Sequence, residues 1–280
     1  MTDESVKPLF VGIDVAKDSL EAPSTDGAFV FVGFVKDGVH SYRVFDVASG
    51  EAVIEDFAAF TNIGFCAWTP DNRGFFFSTI GVSMSADGQA VAQSQVWWQP
   101  LSGEAELQDV ELDHLNAFPT VSPDGRWATI RVSQVAPCPR WLRRMDGGDW
   151  TPFLAGEAAM YKGEVIGDEY WAITDDVSGW GRLVAIPLEG FEDRSTWREI
   201  LSAREGHKLL SMSRCGDYVA LSTIESGIMQ MKSIGIDGTN HGYVRLPGEG
   251  AFGLFGLGYI LGIALPIVAP DGNGCTFVHS

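Results

Sequence analysis

One phrase recurs along this chain and constrains its fold more tightly than any other feature. It reads Trp68-Thr-Pro-Asp-Asn-Arg-Gly-Phe-Phe-Phe-Ser78, then Val121-Ser-Pro-Asp-Gly-Arg-Trp-Ala-Thr-Ile130. It returns as Ser213-Arg-Cys-Gly-Asp-Tyr-Val-Ala-Leu-Ser222 and as Val268-Ala-Pro-Asp-Gly-Asn-Gly-Cys-Thr-Phe277. Looser copies are Ser24-Thr-Asp-Gly-Ala-Phe-Val-Phe-Val32 and Ile166-Gly-Asp-Glu-Tyr-Trp-Ala-Ile173. Each copy places a Pro-Asp-Gly type reversal before a run of aromatic and aliphatic residues. Pro presets φ for a turn and Gly or Asn accepts positive φ. The run behind the turn has the composition of a half-buried strand. The turn centres, Gly27, Asn72, Gly125, Gly167, Gly216 and Gly272, lie 42 to 56 residues apart.

A second phrase alternates with the first. It is a strand ending in a tight turn: Tyr42-Arg-Val-Phe-Asp-Val-Ala-Ser-Gly50, Val96-Trp-Trp-Gln-Pro-Leu-Ser-Gly103 and Trp141-Leu-Arg-Arg-Met-Asp-Gly147. Leu183-Val-Ala-Ile-Pro-Leu-Glu-Gly190 and Met231-Lys-Ser-Ile-Gly-Ile-Asp-Gly238 continue it. Two alternating turns per period imply about four strands in roughly fifty residues, the size of one propeller blade. The expected fold is therefore an all-β propeller of four-stranded blades, with five blades and part of a sixth visible. The 33 glycines and nine tryptophans suit many short strands and turns, and 45% hydrophobic residues leave ample material for a core.

Charge and cysteine usage narrow the function. A net charge of −18 argues against a nucleic-acid partner, whose phosphates require clustered Lys and Arg. Arg140, Arg143 and Arg144 form the main basic cluster, expected to be a solvated loop or internal ion pairs. Cys66, Cys138, Cys215 and Cys275 are 60 or more residues apart with no CxxC pair, so neither zinc nor another cofactor is expected. With no signal peptide at the N-terminus, the chain reads as cytoplasmic with reduced thiols. Residues 251–269 are 19 uncharged residues in a row, nearly the length of a membrane span. Their four glycines and Pro266 favour buried strands around a turn instead.

No catalytic, cofactor-binding or metal-binding residue is expected. A nucleophile elbow requires G-x-S-x-G; the nearest stretch, Gly81-Val-Ser-Met-Ser85, lacks the last glycine and reads as strand and turn. His40, His114, His207, His241 and His279 lack a recognisable general-base context and read as loop or surface residues.

Several of these phrases carry a family likeness. Phe65-Cys-Ala-Trp-Thr-Pro-Asp-Asn-Arg-Gly-Phe-Phe-Phe-Ser78 and Pro119-Thr-Val-Ser-Pro-Asp-Gly-Arg-Trp127 resemble the blade phrases of the prolyl oligopeptidase family of serine peptidases. Asp46-Val-Ala-Ser-Gly-Glu51 and Leu246-Pro-Gly-Glu-Gly-Ala-Phe-Gly253 fit the same propeller. The likeness covers residues 24–280 and is weakest over 254–267. It implies a seven-bladed propeller above an α/β-hydrolase domain, filtering substrates by size and admitting short peptides. Against that pattern the ring is expected to be incomplete, stopping in mid-blade at Phe277-Val-His-Ser280 without a hydrolase domain.

The implied role is a non-catalytic gating or scaffold domain whose partners are a hydrolase domain or short peptides. One alternative is one part of a split serine-type prolyl endopeptidase; the other is a stand-alone binding propeller. An unclosed ring would also leave sheet edges open to self-association. Residues 1–23 do not continue the repeat. Leu9-Phe-Val-Gly-Ile-Asp-Val-Ala-Lys-Asp-Ser-Leu-Glu21 resembles the opening strand of RuvC-like transposases, in which Asp14 would be the first metal-binding carboxylate. No further carboxylates of such a site follow in a recognisable pattern, so no working nuclease is expected.

Overall fold

In the computed structural model each copy of the first phrase becomes the hairpin that opens a sheet. The described residues are 19–36, 39–58, 66–84, 89–133, 136–245, 267–268 and 275–276. They fall into two units, Met1–Thr61 and Asn62–Ser280.

The first unit holds one four-stranded antiparallel meander: β1 (Ser19–Pro23), β2 (Phe29–Lys36), β3 (Val39–Asp46) and β4 (Ala52–Ala58). Its first strand precedes the first turn phrase and pairs with β2 from Ser19↔Phe34 to Pro23↔Val30. The second unit repeats the pattern four times. Its first sheet is β5 (Cys66–Trp68), β6 (Gly74–Met84), β7 (Ala90–Pro100) and β8 (Glu106–Leu107). The next is β9 (Ala117–Val121), β10 (Trp127–Val132), β11 (Cys138–Arg144) and β12 (Thr151–Pro152). Then come β13 (Tyr161–Ile166), β14 (Glu169–Thr174), β15 (Arg182–Pro187) and β16 (Arg198–Leu201). The last full sheet is β17 (His207–Cys215), β18 (Tyr218–Glu225), β19 (Ile228–Gly235) and β20 (Asn240–Tyr243). A two-stranded ladder follows, β21 (Ile267–Val268) with β22 (Cys275–Thr276). Among the described residues the one helical segment is a 3-10 turn at Arg194–Thr196.

The turn chemistry explains the repetition. In Ser122-Pro-Asp-Gly125 the Ser122 hydroxyl donates to Asp124 Oδ1 at 2.6 Å and accepts the Trp127 N–H at 2.9 Å. The Arg126 N–H donates to the same Asp124 oxygen at 3.1 Å. Ser24 and Asp26 repeat the arrangement, at 2.9 Å between the side chains and 3.0 Å from the Phe29 N–H. All these turns reverse the chain through one left-handed residue: Gly27, Asn72, Gly125, Gly167 and Gly216 have φ between 56° and 74°. Gly50, Gly103, Gly147, Gly190 and Gly238, expected at the second turn, also have positive φ. Gly272 lies outside the described residues, as do 251–266; of the apolar stretch, Ile267 and Val268 are strand. Among the described residues no helix is long and apolar enough to cross a membrane.

Period-two alternation then stacks the sheets of the second unit like propeller blades. On β14, Tyr170 and Ala172 pack against Trp127, Leu142 and Phe153 of the preceding sheet. Their neighbours Trp171 and Ile173 pack against Leu209, Val219 and Leu221 of the following one. On β10, Ala128, Ile130 and Val132 point the other way, onto Phe76 and Val96. A strand sandwiched between two sheets needs apolar residues at every position, which is why β14 runs buried from Tyr170 to Thr174. From the third sheet to the fifth, the first strand meets the sheet before it: β9 meets β5, β6 and β7, β13 meets β11, and β17 meets β13 and β14. The turns abut as well, since Arg126 in the third sheet's turn bonds Asp168 in the fourth's at 2.7 Å.

Candidate functional site

Charged residues gather where β13 runs between its neighbours. Lys162 and Glu164 are two apart on this strand, so both side chains leave toward β17. Lys162 Nζ donates to the Leu210 carbonyl at 3.2 Å. That carbonyl is available because the β17–β18 register skips between Leu209 and Ser211. Glu164 Oε1 accepts the backbone N–H of Arg214 at 2.6 Å. Gly163 between them is required by close approach, because a Cβ there would lie 1.7 Å from the Trp171 carbonyl oxygen.

Burial sets the electrostatics of this group. It raises the Glu164 carboxyl to about 7, against the opposing pull of the Arg214 N–H and guanidinium. Lys162 is lowered, first by burial and then by the positive charge of Arg131. Arg131 is itself lowered by burial. It sits on β10 opposite Phe118 of β9, with its guanidinium carbon 5.1 Å from the centre of the Phe118 ring. Burial holds the Tyr170 hydroxyl well above its ordinary range, and that hydroxyl donates to the Tyr161 carbonyl at 3.3 Å. The arrangement can bind and discriminate charge. None of the side chains in it is a serine or cysteine.

Of the residues weighed from sequence, the basic cluster resolves into internal bonds. Arg140 donates to the carbonyls of Leu154, Ala155 and Glu157, and Arg143 to Gly148 O and Gln108 Oε1. Arg144 pairs with Asp146 and Glu189. Gly81 to Met84 belong to β6 as expected, and Ser85 lies outside the described residues. One histidine expectation needs correcting. His207 is 3% exposed rather than a surface residue, because it opens β17 beneath Tyr243, whose hydroxyl lies 3.2 Å from Nε2. His114 sits 3.5 Å from Asp113, and His241 stands edge-on to Tyr218. The side chains of His40 and His279 lie outside the described residues, as does Asp14.

Among the described residues no three His, Cys, Asp or Glu side chains converge as a metal would require. Cys66 and Cys138 are free thiols. Burial raises Cys138 to about 11, which keeps it protonated and unreactive. The cluster around β13 was missed from sequence. Its signal is Lys162-x-Glu164, two charges in period-two spacing inside a strand that the repeat places in the core.

The comparisons agree with this architecture. The model of the prolyl oligopeptidase N-terminal β-propeller domain matches residues 18–261. No curated protein matches the sequence. Among solved structures, one of two prolyl endopeptidases studied for inter-domain dynamics in catalysis and specificity superposes with a TM-score of 0.67 at 20% identity. It is matched over 83% of this chain and 36% of its own. Prolyl oligopeptidase B from Galerina marginata, bound to a 35mer hydrolysis and macrocyclization substrate, has a TM-score of 0.67 at 15% identity, over 84% of this chain and 36% of its own. Its apo form gives 0.66 at 16% identity, over 86% and 37%. At these identities the likeness speaks for the fold, and this chain spans little more than a third of those proteins. Since the family match takes in the blade sheets from β1 to β20, the chain belongs to the prolyl oligopeptidase N-terminal β-propeller domain family.

Proposed function

We propose that this propeller is a non-catalytic gate or scaffold for a serine peptidase, admitting short peptides to chemistry performed by an α/β-hydrolase domain. One observation carries this reading. The family match spans residues 18–261 while the 280 residues contain no G-x-S-x-G nucleophile elbow. In the solved prolyl endopeptidases the matched region is little more than a third of the chain, and in one of them inter-domain dynamics has a role in catalysis and specificity. The free thiols Cys66 and Cys138 support residence in a reducing compartment such as the cytoplasm.

The test is incubation of the pure 280-residue chain with a short chromogenic proline-containing peptide, with and without a separately produced hydrolase domain. The expected result is no serine-reagent-sensitive cleavage by the chain alone and altered size selectivity of the hydrolase in its presence. Cleavage by the chain alone would overturn the reading. Recovery of activity only on mixing would identify a split endopeptidase. Size-exclusion chromatography of the chain alone separates a monomeric propeller from one that self-associates through sheet edges.

A further inference from the structure

Exposed Arg245 aside, Arg131 is the exception among the arginines. From Arg43 to Arg214, every other arginine has an oxygen partner. Arg43, Arg73, Arg126, Arg144, Arg182, Arg194, Arg198 and Arg204 pair with carboxylates. Arg140, Arg143 and Arg214 bond carbonyl or carboxamide oxygens. Arg131 makes no hydrogen bond or ion pair among the described residues, and its Nε is wholly buried without a partner. The chain has 37 Asp and Glu against 19 Lys and Arg, so the missing partner does not reflect a shortage of acids.

The surroundings hold this cation in place without neutralising it. Position parity puts Arg131 on the Trp127 side of β10, facing the fourth sheet, while Ala128, Ile130 and Val132 face the second. The β10–β11 register skips between Ile130 and Arg131, so Arg131 lies opposite Pro139, which has no N–H. Phe118 supports the guanidinium from below, a contact that orients an arginine while leaving its outer nitrogens unpaired. The residue is half-buried and only Nε is sealed, so the two Nη groups are the part a ligand can reach. Glu164 is engaged with the Arg214 N–H. An unpaired guanidinium out of bulk water favours an anion, and its fork matches a carboxylate in two parallel bonds.

We propose that Arg131, stacked on Phe118 between the third and fourth sheets, anchors a binding site for a carboxylate. The source of that carboxylate is either a peptide C-terminus or a small free acid. The peptide source rests on the gating reading above. The site itself does not.

Calorimetric titration of the full chain tests this with three probes: an N-acetylated dipeptide with a free C-terminus, the same dipeptide as its C-terminal amide, and acetate. The free acid is expected to bind at least about tenfold more tightly than the amide. Arg131→Met should abolish that preference, and Arg131→Lys should keep charge but lose about tenfold through loss of the fork. Arg144→Met, which removes an exposed cation, should leave binding unchanged. Equal binding of acid and amide to the wild-type chain, or no binding of any carboxylate, would overturn the proposal, and neither outcome depends on a variant that folds. A preference unchanged in Arg131→Met would overturn it too. Acetate matching the dipeptide would assign a free acid as ligand, keeping the site while removing its link to peptide gating. A hydrolase unaffected by the propeller would sink the gate and leave the carboxylate result standing.

Discussion

The fourth sheet meets its two neighbours in different ways. Toward β9–β12 the seam is apolar and aromatic: Tyr161, Tyr170, Ala172, Val184 and Ile186 close on Trp127, Leu142, Phe153 and Leu154. Phe153 stands edge-on to Tyr170 at 5.6 Å and to Phe191 at 4.8 Å. Toward β17–β20 a similar apolar patch, built on Trp171, Ile173, Leu183, Leu209 and Leu221, shares the seam with Lys162 and Glu164. One strand period thus serves two kinds of joint. The first seam is dominated by packing, whereas the second depends on packing and on pH.

Trp171→Ala and Phe153→Ala probe the packing on each side and should have the largest effects. Both side chains are 0% exposed. Each truncation should cost about 3–5 kcal/mol in urea unfolding. A cost below about 1 kcal/mol at either position would mean that its seam is not closed in solution.

The next effect separates the seams by pH. The Glu164 carboxyl has a folded-state value of about 7, above its unfolded value near 4.5. The native state therefore holds more protons than the unfolded chain between those values, and stability should fall as pH rises through that window. The loss is on the order of 2–3 kcal/mol between about pH 4.5 and about pH 7 and is complete above it. Glu164→Gln should flatten this limb and raise stability at about pH 8, read from thermal melts across roughly pH 5–8. His207 acts with the opposite sign. Burial lowers its pKa below 6.5, so its stabilisation is present above the unfolded value and is lost as pH falls through the folded one. His207→Gln should spare the Glu164 limb. A wild-type curve that is flat across that range, and stays flat in both variants, would remove the distinction between the seams.

Turn chemistry and surface pairs come last. Gly125→Ala, at φ 70°, should cost about 1–2 kcal/mol because a Cβ disfavours the left-handed region. Ser122→Ala should cost about 1 kcal/mol through the lost bonds to Asp124 and the Trp127 N–H. Arg126→Ala removes an exposed link to Asp168 between successive turns and should cost no more than about 1 kcal/mol, shrinking further in salt. Denaturant midpoints at low and high salt check all three.

Much of this architecture was legible beforehand because turns are local. Whether residue 125 must adopt positive φ depends on its own turn, so Gly27, Asn72, Gly125, Gly167 and Gly216 could be placed by inspection. The run behind each turn was read as half-buried, whereas β14 is buried at every step from Tyr170 to Thr174 because sheets cover both its faces. His207 was misplaced because exposure depends on Tyr243, 36 residues away in sequence, folding back across it. The charged cluster was missed for the same reason: nothing near Lys162 in sequence announces that Leu210 will offer a spare carbonyl.

By itself, then, the amino-acid order determined the number and spacing of the strands, their meander connectivity and which residues reverse the chain, because these follow from φ preferences and side-chain periodicity within a short stretch of chain. Only the tertiary structure decided which charges are buried, which acids find partners and which arginine is left without one. Those outcomes depend on the surface that a neighbouring sheet presents, and on a dielectric that exists only once the sheets have closed on each other.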